Sequence, residues 1–203
     1  EAALSPGGNL ALLGQVKGKR MLLVLDPALE PLKAMEVPAE LKVRGIRWAG
    51  DESVLVERSE TVKLDMNRFT ASKGEIFNVM IVPVDNSRPV QTVFADERMM
   101  VKAIFYGPFV RSVKGTWLGY FGGREMADAE SGNYRYEGAP TSLYAVDVQT
   151  AIAERIGGAP ADGVWRDWLL DSNGEIAAVL DWKVGSHDWT LETKSGDQIA
   201  SGN

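Results

Sequence analysis

Ser5-Pro6-Gly7-Gly8-Asn9-Leu10-Ala11-Leu12-Leu13-Gly14-Gln15-Val16, followed after a short polar break by Met21-Leu22-Leu23-Val24-Leu25-Asp26, is the stretch on which the reading of the fold rests. Proline fixes φ near about −65° and glycine accepts left-handed backbone, so Ser5-Pro6-Gly7-Gly8 reads as a tight turn. The two apolar runs then read as paired strands, the second closed by an Asp. This unit returns about every 60 residues without repeating its sequence. Ala49-Gly50-Asp51 leads into 53–59, with 78–85 as the second strand. Lys114-Gly115 leads into 116–122, with 142–147 following. Asp171-Ser172-Asn173-Gly174 leads into 175–182, with a looser partner at 188–193. Asp85 and Asp147 end their strands as Asp26 does. A period of about 40–60 residues holding several strands is the pattern of a β-propeller.

Outward from these units, helix signals are scarce. Nine prolines punctuate the chain and leave few windows long enough for a helix. Alternation is clear at 46–48, 54–56 and 143–148, as expected of strands with one buried face. The expected fold is all-β: a partial β-propeller of about three to four blades of antiparallel strands, divided at about 1–38, 39–95, 96–158 and 159–203. Weaker segments at 32–37, 90–94 and 152–156 are expected as outermost strands. The expected core is Leu12, Leu23, Leu25, Ile46, Trp48, Leu55, Ile81, Leu118, Tyr120, Leu143, Ala145, Ile176 and Val179. Two insertions interrupt the pattern. Residues 63–74 are polar and read as a loop or extended hairpin. Residues 122–140 carry Arg124, Glu125, Asp128, Glu130, Arg135 and Glu137, and 124–137 is expected to be mobile; a loop of this length is mobile or functional.

At 203 residues the chain fits one domain, able to bury roughly 70% of its unfolded surface. A hydrophobic fraction of 45% and a charged fraction of 25% are ordinary for a globular protein. The net charge of −6 argues against a nucleic-acid backbone or an anionic membrane as partner. The longest apolar runs, such as 21–25, are five residues, far short of the roughly 18 a membrane helix needs. The absence of Cys excludes disulfides and thiolate metal sites, and fits cytoplasm or periplasm. The opening Glu1 is expected of a trimmed chain, so the missing leader places the protein nowhere.

The first turn and its strand, Ser5-Pro6-Gly7-Gly8 into Leu10-Ala11-Leu12-Leu13, resemble the blade opening of N-terminal propellers in prolyl oligopeptidase-family serine peptidases and of TolB-type propellers. Val43-Arg44-Gly45-Ile46-Arg47-Trp48-Ala49-Gly50-Asp51 with Val54-Leu55-Val56 is similar to the second-blade pattern of bacterial peptidases in that family. The likeness is most specific across about 5–60. It departs at Gly7, where the family usually has Asp, losing a side-chain acceptor from the turn. The resemblance implies a propeller that caps a separate α/β-hydrolase domain, expected beyond residue 203, and selects the peptides that reach it. It implies a peptide substrate and the chain's own catalytic domain as partners. It favours a periplasmic or secreted location, with the cytoplasm left open. Four blades are about half the seven or eight that the family builds, so the outer faces of the first and last blades are expected to pack on a second copy or on further protein. A TolB-like or quinoprotein-like scaffold binding a protein partner is the alternative, and a small closed lectin is a third reading.

No catalytic, cofactor or metal residue is assigned to this segment. A G-x-S-x-G nucleophile elbow does not occur in it. Ser186-His187-Asp188 invites a triad reading, but neighbours in extended chain point to opposite faces and cannot form a relay; a turn is expected there. Gly14-Gln15-Val16-Lys17-Gly18-Lys19 lacks the spacing, hydroxyl residue and helix of a phosphate loop, and reads as a hairpin with a basic tip. Asp26, Asp85 and Asp147 are expected to accept backbone N–H groups and shape turns. Glu125, Asp128 and Glu130 offer oxygen ligands without calcium-loop spacing. Six Trp (48, 117, 165, 168, 182 and 189) read as packing between blades, with a peptide- or sugar-stacking surface as the alternative.

Overall fold

The computed structural model describes residues 1–63, 72–95, 104–124, 127–128, 134–135 and 141–203, the two short pairs by their backbone alone. Two compact units divide the chain at Val93/Phe94. All described regular structure is strand, as the density of Pro and Gly dictates.

The first unit holds two four-stranded antiparallel sheets. β1 (Ala2–Leu4), β2 (Leu10–Val16), β3 (Lys19–Leu25) and β4 (Pro31–Glu36) pair in chain order, as do β5 (Lys42–Ala49), β6 (Ser53–Lys63), β7 (Lys73–Pro83) and β8 (Gln91–Thr92). Lys17 and Gly18, both at positive φ, close the β2–β3 hairpin, which is the type I′ geometry that matches strand twist. The Gly14–Lys19 segment is thus a hairpin tip, with Lys19 paired to Glu36 at 2.7 Å. β6 and β7 stay paired out to Lys63 and Lys73, so the first expected insertion begins as an extended hairpin; 64–71 lie outside the described residues.

Ala11, Leu22, Val24, Val37, Ile46, Trp48, Val54, Val56 and Val82 form the core between these two sheets. The Trp48 indole donates to the Ala3 carbonyl at 2.9 Å, joining β5 to β1. Ile46, Trp48, Leu55 and Ile81 are buried as expected, but β2 and β3 correct the expected core. Ala11, Leu22 and Val24 are buried, whereas Leu12, Leu23 and Leu25 are only half-buried. Both faces of this hairpin are apolar, so its sequence does not choose a face. The choice is made by the second sheet, which covers the side carrying Ala11 and Val24.

The turn at Gly7 also has a tertiary cause. Asp51 Oδ1 accepts the Ser5 hydroxyl at 2.5 Å and the Gly7 N–H at 2.6 Å. A Cβ on Gly7 would fall 2.7 Å from that carboxylate oxygen. Further along the second sheet, Glu75 accepts hydrogen bonds from Ser59, Thr61, Lys42 and Arg44. These partners, the Ser59 hydroxyl first, hold its carboxyl at about 2 instead of 4.5.

In the second unit, β11 (Trp117–Gly123) is flanked by β9 (Ile104–Phe105) and β10 (Val110–Arg111) on one side and β14 (Ser142–Asp147) on the other, with β15 (Ala153–Gly157) beyond β14. A two-stranded ribbon, β12 (Ala127–Asp128) with β13 (Tyr134–Arg135), is all that is described of 125–140. Glu125, Glu130 and Glu137 lie outside the described residues, so the expectation for 124–137 is not met or refuted. β16 (Val164–Leu170), β17 (Ile176–Lys183), β18 (Trp189–Thr193) and β19 (Gln198–Gly202) form the fourth sheet in chain order. None of the four sheets closes on itself.

The turns follow the Asp rule. Asp26 accepts the N–H groups of Ala28 and Glu30, Asp147 those of Gln149 and Thr150, and Asp171 those of Asn173 and Glu175. Asp85 takes the Ser87 N–H and hydroxyl, and the hydroxyl bond lowers its pKa. Tyr120, Leu143 and Trp168 centre the core between the third and fourth sheets, with Leu118, Ala145, Ile176 and Val179 half-buried around them.

Candidate functional site

The fourth sheet presents a ladder of tryptophans. Register places Trp165 on β16 opposite Trp182 on β17, and Trp182 opposite Trp189 on β18. Directly opposed residues share a sheet face, so all three stand on one side. Trp189 continues the row onto β19 by lying over Gly202, where a Cβ would fall 2.8 Å from its indole nitrogen. The opposite face carries Trp168 and Val179 into the core. The six tryptophans therefore divide. Trp48 and Trp168 are core, as the packing reading expects; Trp165 is 61% exposed and Trp182 36%.

These rings line a cavity of about 950 Å³ within the second unit. Its floor includes Leu180 and Val184; Ile104 and Tyr106 close one side, and the 160–164 turn another. The volume lies toward the upper end of the roughly 300–1,000 Å³ typical of ligand pockets. Trp165 and Trp182 meet edge to face, with centroids 5.9 Å apart and planes at 89°, so they form a corner and no flat platform. Trp182 is held by its indole N–H, which donates to the His187 carbonyl at 3.1 Å, and by the His187 ring 5.7 Å away.

The charged lining residues differ in how they are satisfied. Arg166 makes a bidentate pair with Asp181, 2.6 Å at both contacts, and this pairing raises its pKa. Arg124 donates through Nε to the Thr141 hydroxyl at 3.2 Å. Asp167, two residues from Trp165 on the same face, accepts the Tyr106 hydroxyl at 2.7 Å and no other hydrogen bond among the described residues. Burial first, then that bond to Asp167, pushes the Tyr106 pKa upward, so the phenol stays neutral. Asp162 on the rim makes no ion pair among the described residues.

Of the described residues singled out in the sequence, only Arg124, Trp165, Trp182 and Trp189 line this cavity. Ser186 donates to Asp188 at 2.6 Å, past an imidazole that makes no hydrogen bond among the described residues, and His187 sits at φ +65° in a turn. Asp26, Asp85 and Asp147 serve separate turns, and no group of three or more His, Asp or Glu residues is placed to hold a metal among the described residues. Sequence reasoning missed β16 and with it Asp167. The signal was present: Trp165, Asp167 and Leu169 alternate with Val164, Arg166 and Trp168 immediately before a turn. A ladder of this kind can stack an apolar or cationic group; the described residues offer no paired nucleophile and base within it. No family model matches the chain, and no curated protein matches it either.

Proposed function

We propose that this chain is a non-catalytic propeller segment that gates and selects peptides for a serine peptidase of the prolyl oligopeptidase type, with the tryptophan-lined cavity as a peptide-contacting surface. The observation that carries this reading is the succession of four antiparallel sheets, the first two of which contain the turn and strand segments, within about 5–60, that resemble the peptidase propellers. A cavity walled by exposed indoles suits a contact surface better than chemistry. In this reading the catalytic serine lies on a separate α/β-hydrolase domain. The test is fluorophosphonate labelling of the product of the complete reading frame. A labelled serine outside these 203 residues, together with a changed peptide preference in Trp165→Ala, is the expected result. An unlabelled product overturns the peptidase assignment.

The alternative, a TolB-like scaffold for a protein partner, is favoured by one observation. Trp165 and Leu169 on one face of β16 are large apolar side chains more than half exposed, and such residues in proximity mark interaction surfaces.

A further inference from the structure

We propose that the cavity on the fourth sheet binds an organic cation, an alkylammonium or guanidinium group on an apolar stem, in the corner between Trp165 and Trp182 with Asp167 as counter-charge. This deepens the proposed function and rests on it only in taking the cavity as the contact surface. Three observations converge on a cation. First, aromatic faces carry negative charge density, and two rings at 89° and 5.9 Å wall a cation from two directions where a flat sugar ring would meet only one. Both rings are open to ligand.

Second, the charges around the corner are unequally satisfied. Arg166 is neutralised by Asp181, two hydrogen bonds deep, and it alternates with Trp165 and Asp167 onto the other face of β16. Arg124, hydrogen-bonded to Thr141, also lines the cavity and acts on the Tyr106 phenol, so it offsets part of the negative charge there. Against that single cation stand Asp167 and Asp162, neither in an ion pair among the described residues. Asp167 has a neutral phenol as its partner through one oxygen, Oδ1, leaving Oδ2 for a ligand.

Third, the stem has a place to lie. Leu180 is directly opposite Asp167 across the β16–β17 pairing, on the same face as Trp182, and Val184 and Trp189 extend the apolar floor. A primary ammonium on a four-carbon chain or a quaternary ammonium matches this order of surfaces; a carboxylate would meet Asp167 and the ring faces unfavourably.

The test is a titration of the chain followed by its tryptophan indole ¹⁵N–¹H signals, at constant ionic strength with sodium chloride as the reference cation. Tetramethylammonium is the free-cation probe, N-acetyl-lysine amide the peptide-borne cation, and N-acetyl-norleucine amide its neutral isostere. Saturable shifts of the Trp165 and Trp182 signals are expected with both cations, and binding of the isostere at least about tenfold weaker. Asp167→Asn is expected to weaken lysine-amide binding about fivefold, and Trp165→Ala about tenfold, while the Trp48 and Trp168 signals stay in place to report an intact fold. Equal binding of the lysine amide and its isostere, or equal shifts with sodium chloride, overturns the proposal and leaves the peptidase reading to its own test. Binding of tetramethylammonium without the lysine amide upholds the cation site and counts against peptide contact. Acrylamide quenching in the product of the complete reading frame completes it: Trp165 shielded there by another sheet overturns the site.

Discussion

Gly174→Ala tests the packing of the third and fourth sheets in the second unit. Gly174 lies at φ +79° in the turn whose N–H groups are gathered by Asp171, and a Cβ added there would fall 1.8 Å from the Tyr120 hydroxyl oxygen and 2.2 Å from the ring carbon bearing it. Two costs combine. Left-handed backbone costs an L-residue about 1–2 kcal/mol. Displacing a buried tyrosine by more than 1 Å in a packed core adds about 1–3 kcal/mol, for a total of about 2–5 kcal/mol. Gly196→Ala isolates the first cost, since Gly196 has φ +89° in a hairpin turn of the same sheet and no atom within 4 Å of its Cβ position. One kcal/mol moves the midpoint of a unit this size by about 4–8 °C. Calorimetric or circular-dichroism melting is therefore expected to show a loss of about 4–15 °C for Gly196→Ala and a clearly larger loss for Gly174→Ala. Tyr120→Phe removes the oxygen but leaves the 2.2 Å overlap, so it is not expected to rescue Gly174→Ala. Equal losses for the two alanine variants would refute the placement of Tyr120 over the turn.

Glu75 sets a pH dependence. Its carboxyl is depressed to about 2 from 4.5, so the stability it contributes is present above about 4.5 and is lost as pH falls toward 2; Glu75→Gln is expected to flatten the stability profile between those limits, as read by urea melts across pH. Gly7→Asp is expected to destabilise the first unit, although a local turn rule would favour it, because a second carboxylate would meet Asp51 where a Cβ already falls at 2.7 Å; adding Asp51→Gly is expected to restore part of the loss in thermal melts. Arg166→Met, which strands the partly buried Asp181, is expected to cost about 1–3 kcal/mol in chemical denaturation, with Arg166→Met/Asp181→Leu recovering most of it. Gel filtration with mass detection at micromolar concentration is expected to show self-association that Ile199→Ser, on the edge strand β19, reduces; a clean monomer would count against the uncovered-face reading.

The strand-turn-strand units were legible because their signals are local. Asp26, Asp85 and Asp147 shape turns with residues two to four positions on, and Lys17-Gly18 dictates its own hairpin. Burial on β2 and β3 was not legible, since leucines occupy both faces and the covering sheet begins only at Lys42, beyond a further strand. The candidate site was half legible. Trp165, Trp182 and Trp189 are conspicuous, but their alignment depends on the registers of two strand pairs, and β16 lacks an apolar run because Arg166 and Asp167 interrupt it. Whether a Trp is core or surface is settled by parity along β16, where Trp168 and Trp165 fall on opposite faces.

The bond from Ser5 and Gly7 to Asp51 turns a local signal into a long-range one. A turn that carries its own acceptor can form as soon as its residues leave the ribosome or collapse. This one closes locally, with Ser5 accepting the Gly8 and Asn9 N–H groups, but its Ser5 hydroxyl donates to an acceptor 46 residues on, so the turn is locked only after the β5–β6 turn is in place. Closing such a loop costs entropy before the contact repays it. The first sheet is therefore expected to complete late despite being synthesised first, and Asp51→Ala to speed unfolding of the first unit more than it slows folding.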